Sequence, residues 1–285
     1  MSLNKLKTKI IPWLFLSPAL ILLTIFLFIP ILYLIYLSFT NGSLTATKWI
    51  GLNNYRRLTI DSDFAQIIIN TIYFSITSII PSILIPLLLA VLLNQKIILR
   101  SFFRTSYFIP SITSLVAMGL GFRWLFQNNG PVNQLLQQIN LTPISWLNSP
   151  LWAMPVVILF STWRQIGFNL VVFLAGLQAI PKSRYEAAEL DGADSWAKFL
   201  YITLPGLKPT LIFCTITTAI FTFRSFEQIY VMTNGGPANS TNILAYYIYQ
   251  EAFRQFNFGY AAAATSILLL IAFLLVYVQI LITKE

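Results

Sequence analysis

Six long apolar segments alternate with shorter polar stretches along the chain. A transmembrane helix needs about 20 mostly apolar residues, and each segment is long enough to supply one. The pattern therefore predicts an all-α membrane protein with six transmembrane helices, arranged as one transmembrane domain over residues 1–285. The six predicted helices are Ile11–Ser38, Phe64–Leu93, Ser106–Phe126, Leu151–Ile180, Pro209–Met232 and Gly259–Ile282.

The basic residues between these segments predict which side of the membrane each connection faces, because cytoplasmic loops carry an excess of Lys and Arg. With the N-terminus inside, the inner side holds Lys5, Lys7, Lys9, Lys96, Arg100, Arg104, Lys182, Arg184, Lys198, Lys208 and Lys284, and the outer side holds Lys48, Arg56, Arg57 and Arg254. This asymmetry predicts that both termini are cytoplasmic. The first apolar run is far longer than the ~7–15 residues of a signal-peptide core, so we expect a retained first helix.

Composition supports a membrane protein and excludes several other classes. Charged residues make up only 9% of the chain, against roughly 25% in soluble domains. The chain has no histidine and a single cysteine, Cys214, which excludes an internal disulfide and removes the commonest metal ligand and general base. The sequence also has no glycine-rich phosphate loop. We expect no enzyme activity, metal or cofactor in this chain, and we attribute its net charge of +9 to cytoplasmic loops rather than to nucleic-acid binding.

The cytoplasmic connection at residues 181–208 has the local signals of a short helix followed by a tight turn. Ser183 followed by Glu186 is a capping-box pattern, which predicts the start of the helix. Gly192 predicts its end, because glycine readily adopts the left-handed conformation that follows a helix.

A second short amphipathic helix is predicted in the same connection from about Asp194, with Trp196 and Phe199 on its apolar face and Pro205 at its end. From these signals alone the connection could also be an amphipathic loop that lies on lipid.

Three motifs stand at fixed spacing in this connection: Glu186-Ala187-Ala188, Asp191-Gly192-Ala193 and Ile202-Thr203-Leu204-Pro205. Their order and position resemble the cytoplasmic loop of permease subunits of ABC importers. Two further stretches, Leu174–Pro181 and Thr233–Pro237, resemble carbohydrate-uptake permeases, in particular the first permease of the pair in maltose and glycerol-phosphate importers. The chain is similar to the shorter six-helix members of that family.

The resemblance implies a type I ABC importer transmembrane domain in a bacterial-type cytoplasmic (inner) membrane. Such a permease imports a sugar, oligosaccharide or sugar/polyol derivative by alternating access. The implied partners are an extracytoplasmic binding protein, a second homologous permease that completes a heterodimer, membrane lipid, and two cytoplasmic ATPase subunits that bind ATP and Mg. The residues that the resemblance assigns to ATPase coupling are Glu186, Ala187, Ala188, Asp191, Gly192, Ala193, Leu204 and Pro205.

Polar and aromatic residues recur at helical spacing on the fourth and fifth segments. They are Ser161, Arg164, Gln165 and Phe168 on the fourth, and Thr218, Phe221, Thr222 and Ser225 on the fifth. Each set lies on one helix face, and intramembrane polar residues are usually functional, so we predict a shared cargo path. The eight positions match the sugar site of the maltose-type permease, although the residue types mostly differ. The alternative is that the Ser and Thr hydroxyls bond back to their own helices.

Three charged residues in or near these segments leave alternatives open. Arg164 could bind an anionic group, as a glycerol-phosphate-type cargo would require, or the hydroxyls of a neutral sugar. Arg224 and Glu227 are three residues apart and are predicted to form an intramembrane ion pair.

A rival function is an ion-coupled secondary transporter. Such a transporter would need carboxylates within the membrane, and only Glu227 qualifies.

Overall fold

The computed structural model describes residues 3–42, 47–95 and 98–283. In this part of the chain nearly all regular structure is helical, apart from an isolated bridge between Thr40 and Trp49. The α-helices are α1 (Leu3–Leu23), α2 (Ile29–Ser38), α3 (Asn53–Ile60), α4 (Ser62–Leu93), α5 (Arg100–Ile112), α6 (Leu115–Leu125), α7 (Pro131–Gln138), α8 (Ala153–Ala179), α9 (Lys182–Leu190), α10 (Ser195–Lys198), α11 (Leu204–Gly206), α12 (Lys208–Phe223), α13 (Glu227–Met232), α14 (Leu244–Tyr249) and α15 (Phe258–Thr283). Three π-helical turns are π1 (Thr24–Phe28), π2 (Phe199–Thr203) and π3 (Gln250–Arg254).

The chain divides into two compact units, which are Met1–Asp61 with Ile248–Ile267 and Ser62–Tyr247 with Leu268–Glu285. In the first unit, α2 ends at Ser38, and the side chain of Asn54 in α3 completes this end. Its Nδ2 donates to the carbonyls of Ser38 (2.8 Å) and Thr40 (2.7 Å). Asn54 is buried. Its amide donates to carbonyls at and just beyond the end of α2, where the helix itself supplies no donor.

The core of the second unit lies where α4, α8 and α12 pack against one another. The buried side chains recur at helical spacing, as expected of helices that each bury one apolar stripe. The members of this core are Ile83, Leu87, Ala90, Leu93, Leu170, Phe173, Leu174, Leu177, Ile180, Leu207 and Cys214.

Asn169 of α8 joins the three helices of this core through hydrogen bonds. Its Nδ2 donates to the carbonyl of Ser82 in α4 (2.7 Å) and to Oγ1 of Thr218 in α12 (3.0 Å). Pro86 lies four residues after Ser82 and has no N–H, so the Ser82 carbonyl lacks its ordinary helical donor. The fully buried Asn169 therefore supplies from a neighbouring helix the hydrogen bond that the proline removes.

Four of the six predicted membrane helices match candidate membrane spans of the structure to within two residues at each end, although the helical segment that contains the first of them begins earlier, at Leu3, and includes π1. Within the described residues, four helices are long and apolar enough to cross a membrane, and six if each of two bent helix pairs forms one span. The four are Pro12–Ser38, Ser62–Leu93, Ala153–Ala179 and Phe258–Ile282.

The prediction of one continuous helix over Ser106–Phe126 is wrong. α5 and α6 meet at 99° across a short break. Thr113 is extended (φ −78°, ψ 153°), and Oγ of Ser114 accepts a hydrogen bond from the amide of Ala117 (3.5 Å). Ser114 is therefore the N-cap of α6, which begins as a separate helix. The apolar segment thus forms two helices instead of one.

The predicted helix Pro209–Met232 is also divided. α12 ends at Phe223, and the short helix α13 starts only at Glu227. Between them the ring of Phe226 packs against Tyr230 and Tyr246, with centroids 5.6 and 5.9 Å apart. This aromatic packing is a tertiary interaction that hydrophobic periodicity does not report.

Replacing Asn169 by Ala should lower the stability of the purified protein, because it removes the donor to Ser82. Polar contacts between membrane helices contribute about 0.6–2 kcal/mol, so a lower thermal midpoint in detergent is expected. Pro86→Ala is the matched background, since an alanine amide can bond to the Ser82 carbonyl directly, and Asn169→Ala should destabilise less there. Equal losses in both backgrounds would show that Asn169 does not compensate for Pro86.

Candidate functional site

A cavity of about 320 Å³ lies in the second unit between α4, α8, α12 and the residues that follow α12. Both predicted stripes face it. Seven of the eight predicted cargo residues line the cavity, namely Ser161, Arg164, Gln165, Thr218, Phe221, Thr222 and Ser225. The tertiary structure therefore brings the two stripes together around one space, while their contact with cargo stays a prediction.

The eighth residue, Phe168, lines a neighbouring cavity of about 180 Å³. Arg164, Gln165 and Phe221 border both cavities. The smaller cavity is otherwise bounded by α5, through residues that include Ser111. The predicted cargo stripe on α8 therefore faces two adjoining spaces.

The hydroxyls of the cavity are partly engaged by their own helices. Oγ of Ser161 donates to the carbonyl of Val157 (2.8 Å), and Oγ1 of Thr222 donates to the carbonyl of Ala219 (2.8 Å). The back-bonding alternative is thus confirmed for these side chains. Each oxygen still has lone pairs that can accept a hydrogen bond from a ligand.

Two donors at the cavity wall have no acceptor. Among the described residues, Nε of Arg164 and Nε2 of Gln165 are buried and have no hydrogen-bond partner. An unmet buried donor is costly, typically about 1–3 kcal/mol and more for a charged group. Acceptors from outside the chain, such as the oxygens of a cargo molecule, would satisfy both.

Ser78 and Ser82 of α4 and Gln228 of α13 also line the main cavity and were not predicted. For the two serines a signal existed, because Thr71, Ser75, Ser78 and Ser82 follow one another at spacings of four, three and four residues, which places them on one helix face. For Gln228 no such signal existed, because the break after α12 that turns it to the cavity depends on tertiary packing.

The predicted ion pair between Arg224 and Glu227 is wrong. In the described part of the chain no salt bridge joins these two residues, although both border the main cavity. The prediction assumed a continuous helix, in which residues three apart face each other. Because α12 ends at Phe223, that helical relation is lost and both charges remain available to the cavity.

The connection at residues 181–208 contains the predicted turn. Gly192 is left-handed (φ +77°). Its amide donates to the carbonyl of Glu189 (3.1 Å), and the amide of Ala193 donates to the carbonyl of Ala188 (2.8 Å). This pair of bonds is a Schellman motif, which confirms the predicted glycine stop.

The two helix starts in this connection differ in how well they were predicted. α9 begins one residue before Ser183, after Pro181, and no side-chain cap is formed there, so the predicted capping box of Ser183 and Glu186 is wrong. Pro181 is the N-cap residue instead (φ −59°, ψ 130°), and its side chain has no polar atom that could accept a hydrogen bond. The second helix starts as predicted, because Oδ1 of Asp194 accepts a hydrogen bond from the amide of Ala197 (2.7 Å).

The second helix ends at Gly206, one residue after the predicted end at Pro205. The π-helical turn π2 ends two residues before the proline. A wider turn accommodates a residue that has no N–H and whose ring crowds the preceding turn. Pro30 follows π1 in the same way.

Two contacts hold the halves of the connection together. Nζ of Lys198 lies 2.8 Å from Oε1 of Glu189, and the hydroxyls of Tyr185 and Thr203 are 2.9 Å apart. The charged pair is partly exposed and contributes little by itself. Together with the Schellman turn, these contacts join α9 to the second helix.

The exposed surface of this connection carries both charged and apolar side chains. Five of the eight predicted coupling residues are exposed, namely Glu186, Ala187, Asp191, Gly192 and Pro205. The other three, Ala188, Ala193 and Leu204, are partly buried. Leu190 beside them is 90% exposed. An exposed leucine next to an exposed carboxylate on a braced turn suits a protein partner.

Residues 69–284 match the family model described as "Binding-protein-dependent transport system inner membrane component". The chain belongs to this family. The permease is 39% identical over 279 residues to the lactose transport system permease protein LacF of Rhizobium radiobacter, covering 96% of this chain and 94% of that protein. It is 36% identical over 267 residues to the arabinooligosaccharides transport system permease protein AraP of Bacillus subtilis, covering 92% and 85%.

Solved structures support the same assignment. A chain of a bacterial ABC transporter involved in the import of the acidic polysaccharide alginate superposes with a TM-score of 0.85 at 26% identity, covering 99% of the permease and 97% of that chain. A chain of a bacterial alginate ABC transporter in complex with an alginate pentasaccharide-bound periplasmic protein gives 0.84 at 25% identity, covering 97% and 94%. The predicted fold class, an ABC importer permease built of helices, is confirmed.

Family membership makes the permease an inner membrane component of a binding-protein-dependent transporter rather than an enzyme. It does not favour the ion-coupled secondary transporter that the sequence left open.

Cysteine labelling should show that the main cavity admits water-soluble molecules. We expect Ser161→Cys and Ser225→Cys to react with a water-soluble maleimide in the purified permease, because both positions border the cavity. The native Cys214 is buried in the core and should stay unlabelled, which makes the unmodified chain the negative control. Ser195→Cys, at an exposed position of the connection at residues 181–208, is the positive control. Mass spectrometry measures the labelled fraction, and unlabelled cavity cysteines beside a labelled Ser195→Cys would contradict the assignment.

Proposed function

We propose that the permease moves a sugar, oligosaccharide or sugar/polyol derivative inward across the membrane, through the cavity between α4, α8 and α12. The observation that carries this proposal is the convergence of two polar and aromatic stripes on one cavity. An extracytoplasmic binding protein delivers the cargo, and ATP hydrolysed by partner subunits drives alternating access.

The chemistry of the cavity suits a polyhydroxylated cargo. Its wall presents the guanidinium of Arg164, the amide of Gln165 and several hydroxyls, beside the ring of Phe221. Polar groups of these kinds exchange hydrogen bonds with sugar hydroxyls, and an aromatic ring offers an apolar face for a pyranose. Relatives named for lactose and arabinooligosaccharide transport agree with this cargo class.

The connection at residues 181–208 is the proposed contact with the ATPase. We place both chain termini and this connection in the cytoplasm, where the basic residues are concentrated. Two ATPase subunits bind ATP and Mg, and a second homologous permease forms the other half of a heterodimer. Because the connection is braced internally and leads at 65° into α12, a movement imposed on it passes to a helix that lines the cavity.

Uptake into proteoliposomes tests the proposed function directly. The complete complex, supplied with its binding protein and internal ATP, should accumulate radiolabelled sugars from a panel that includes lactose and arabinooligosaccharides. Binding of each sugar to the binding protein alone shows which should be transported. Absence of ATP-dependent uptake for every sugar that the binding protein retains would exclude this cargo class.

Glu186→Lys and Gly192→Asp should uncouple ATP hydrolysis from transport while leaving assembly intact. Gly192 has a positive φ, and apart from its chain neighbours no atom of the described residues lies within 4 Å of an added Cβ. A new side chain there would strain the backbone and would project toward the proposed ATPase contact. Gly51→Asp is the matched control, because Gly51 has φ +58° and equally open space but lies outside the connection. Cargo-stimulated ATPase activity and uptake are the measurements, and equal effects of the two glycine variants would refute coupling through Gly192.

Arg164→Gln should decide whether the cargo is charged. Hydrogen bonds to a charged group contribute about 1.5–3 kcal/mol, so an acidic sugar should lose about tenfold or more in uptake while a neutral analogue loses less. Arg123→Gln, which removes an exposed arginine that does not border the main cavity, is the control. Equal losses for charged and neutral sugars would contradict an anion-binding role.

A further inference from the structure

The helices α5 and α8 approach each other so closely that their backbones nearly touch at Gly167. A Cβ built on Gly167 would lie 2.6 Å from Oγ of Ser111 and 2.8 Å from Cα of Phe108, and it would also collide with the carbonyl of Tyr107. Only glycine fits at this crossing. The close approach brings a hydroxyl of α5 within reach of the main chain of α8.

The hydroxyl of Ser111 uses this approach to bond to two backbone groups of α8. It donates to the carbonyl of Arg164 (2.8 Å) and accepts from the amide of Phe168 (3.2 Å). In an α-helix, a carbonyl and the amide four residues later are each other's ordinary partners. The Ser111 hydroxyl therefore bonds to both members of one carbonyl–amide pair in the backbone of α8. A side chain that inserts at such a pair changes the local course of a helix.

The bridged turn is the one that carries the cargo residues of α8. Arg164 and Phe168 are its two ends, and Gln165 lies between them. The side chains of Arg164 and Gln165 have no protein acceptor among the described residues for Nε and Nε2, so intramolecular hydrogen bonds do not hold these two atoms. The course of the main chain then decides where their donors point.

We propose that Ser111 is a positioning residue for cargo recognition, which sets the turn at residues 164–168 and thereby the direction of Arg164, Gln165 and Phe168. This inference rests on the proposed function, because it takes the cavity as the cargo site. Ser111 is the second-last residue of α5, directly before the 99° junction with α6. Movement of α5 relative to α8 would consequently change the geometry of the cargo site without any side chain of α5 touching the main cavity.

Ser111→Ala tests this role against Thr113→Val, its matched control. Thr113 is the C-cap residue of the same helix and is exposed, and its hydroxyl donates to the carbonyl of Ile109 in α5 (2.8 Å). In proteoliposomes Ser111→Ala should raise the KM for cargo-loaded binding protein about three- to tenfold, as expected for the loss of a hydrogen bond, with little change in kcat. Thr113→Val should change neither.

A double-substitution cycle shows whether Ser111 acts through the cargo residues. In an Arg164→Gln background, Ser111→Ala should raise the KM by less than it does in the parent permease, because one of the positioned groups is already absent. Additive effects, an unchanged KM in Ser111→Ala, or a fall in kcat alone would each overturn the proposal. Loss of assembly in Ser111→Ala would also overturn it, because the hydroxyl would then be a structural brace.

Hydrogen–deuterium exchange separates a failure of this inference from a failure of the proposed function. Ser111→Ala should speed amide exchange over residues 164–168 relative to Thr113→Val, whatever the cargo. Faster exchange without transport of any sugar by the parent complex would refute the cargo class and retain the positioning of the turn. Unchanged exchange would refute the positioning even if sugars are transported.

Discussion

The structure of the second unit depends on how backbone polar groups are satisfied where water is absent. Inside a bilayer every carbonyl and amide needs a protein partner, and prolines remove such partners. Pro86 frees the Ser82 carbonyl, and Asn169 supplies the missing hydrogen bond from α8. The same asparagine, which lies on α8, also bonds to Thr218 of α12. The side chain that compensates for the proline of α4 therefore links α4, α8 and α12. The packing of α4, α8 and α12 thus depends in part on Pro86, which lacks a backbone N–H.

The cavity adjoins the residues that Asn169 joins, but it is open and lined by polar groups. Ser82 and Thr218 border the cavity and also bond to Asn169, so the packed core and the open space share residues. Among the described residues, Nε of Arg164 and Nε2 of Gln165 have no acceptor, which would destabilise a packed core. In the proposed function, a cargo that supplies acceptors would satisfy these donors.

The connection at residues 181–208 is held by both local and longer-range hydrogen bonds. Its Schellman turn at Gly192 and its cap at Asp194 are local, because neighbouring residues make all of their hydrogen bonds. The braces between Lys198 and Glu189 and between Tyr185 and Thr203 span the turn and hold its two arms. A connection braced in this way can move as one rigid unit, as the proposed coupling to α12 requires.

The sequence alone predicted four candidate membrane spans within two residues, the two stripes and the glycine turn, because periodicity and local hydrogen bonding are properties of short segments. It failed at Ser114, where a polar cap divides an apolar run, and after Phe223, where α12 ends and the ring of Phe226 packs against Tyr230 and Tyr246. The convergence of the stripes, the role of Asn169 and the bridge from Ser111 were decided only by the tertiary structure. In each of these cases the partners lie on different helices, and the spacing of residues along one helix carries no information about what a second helix brings beside it.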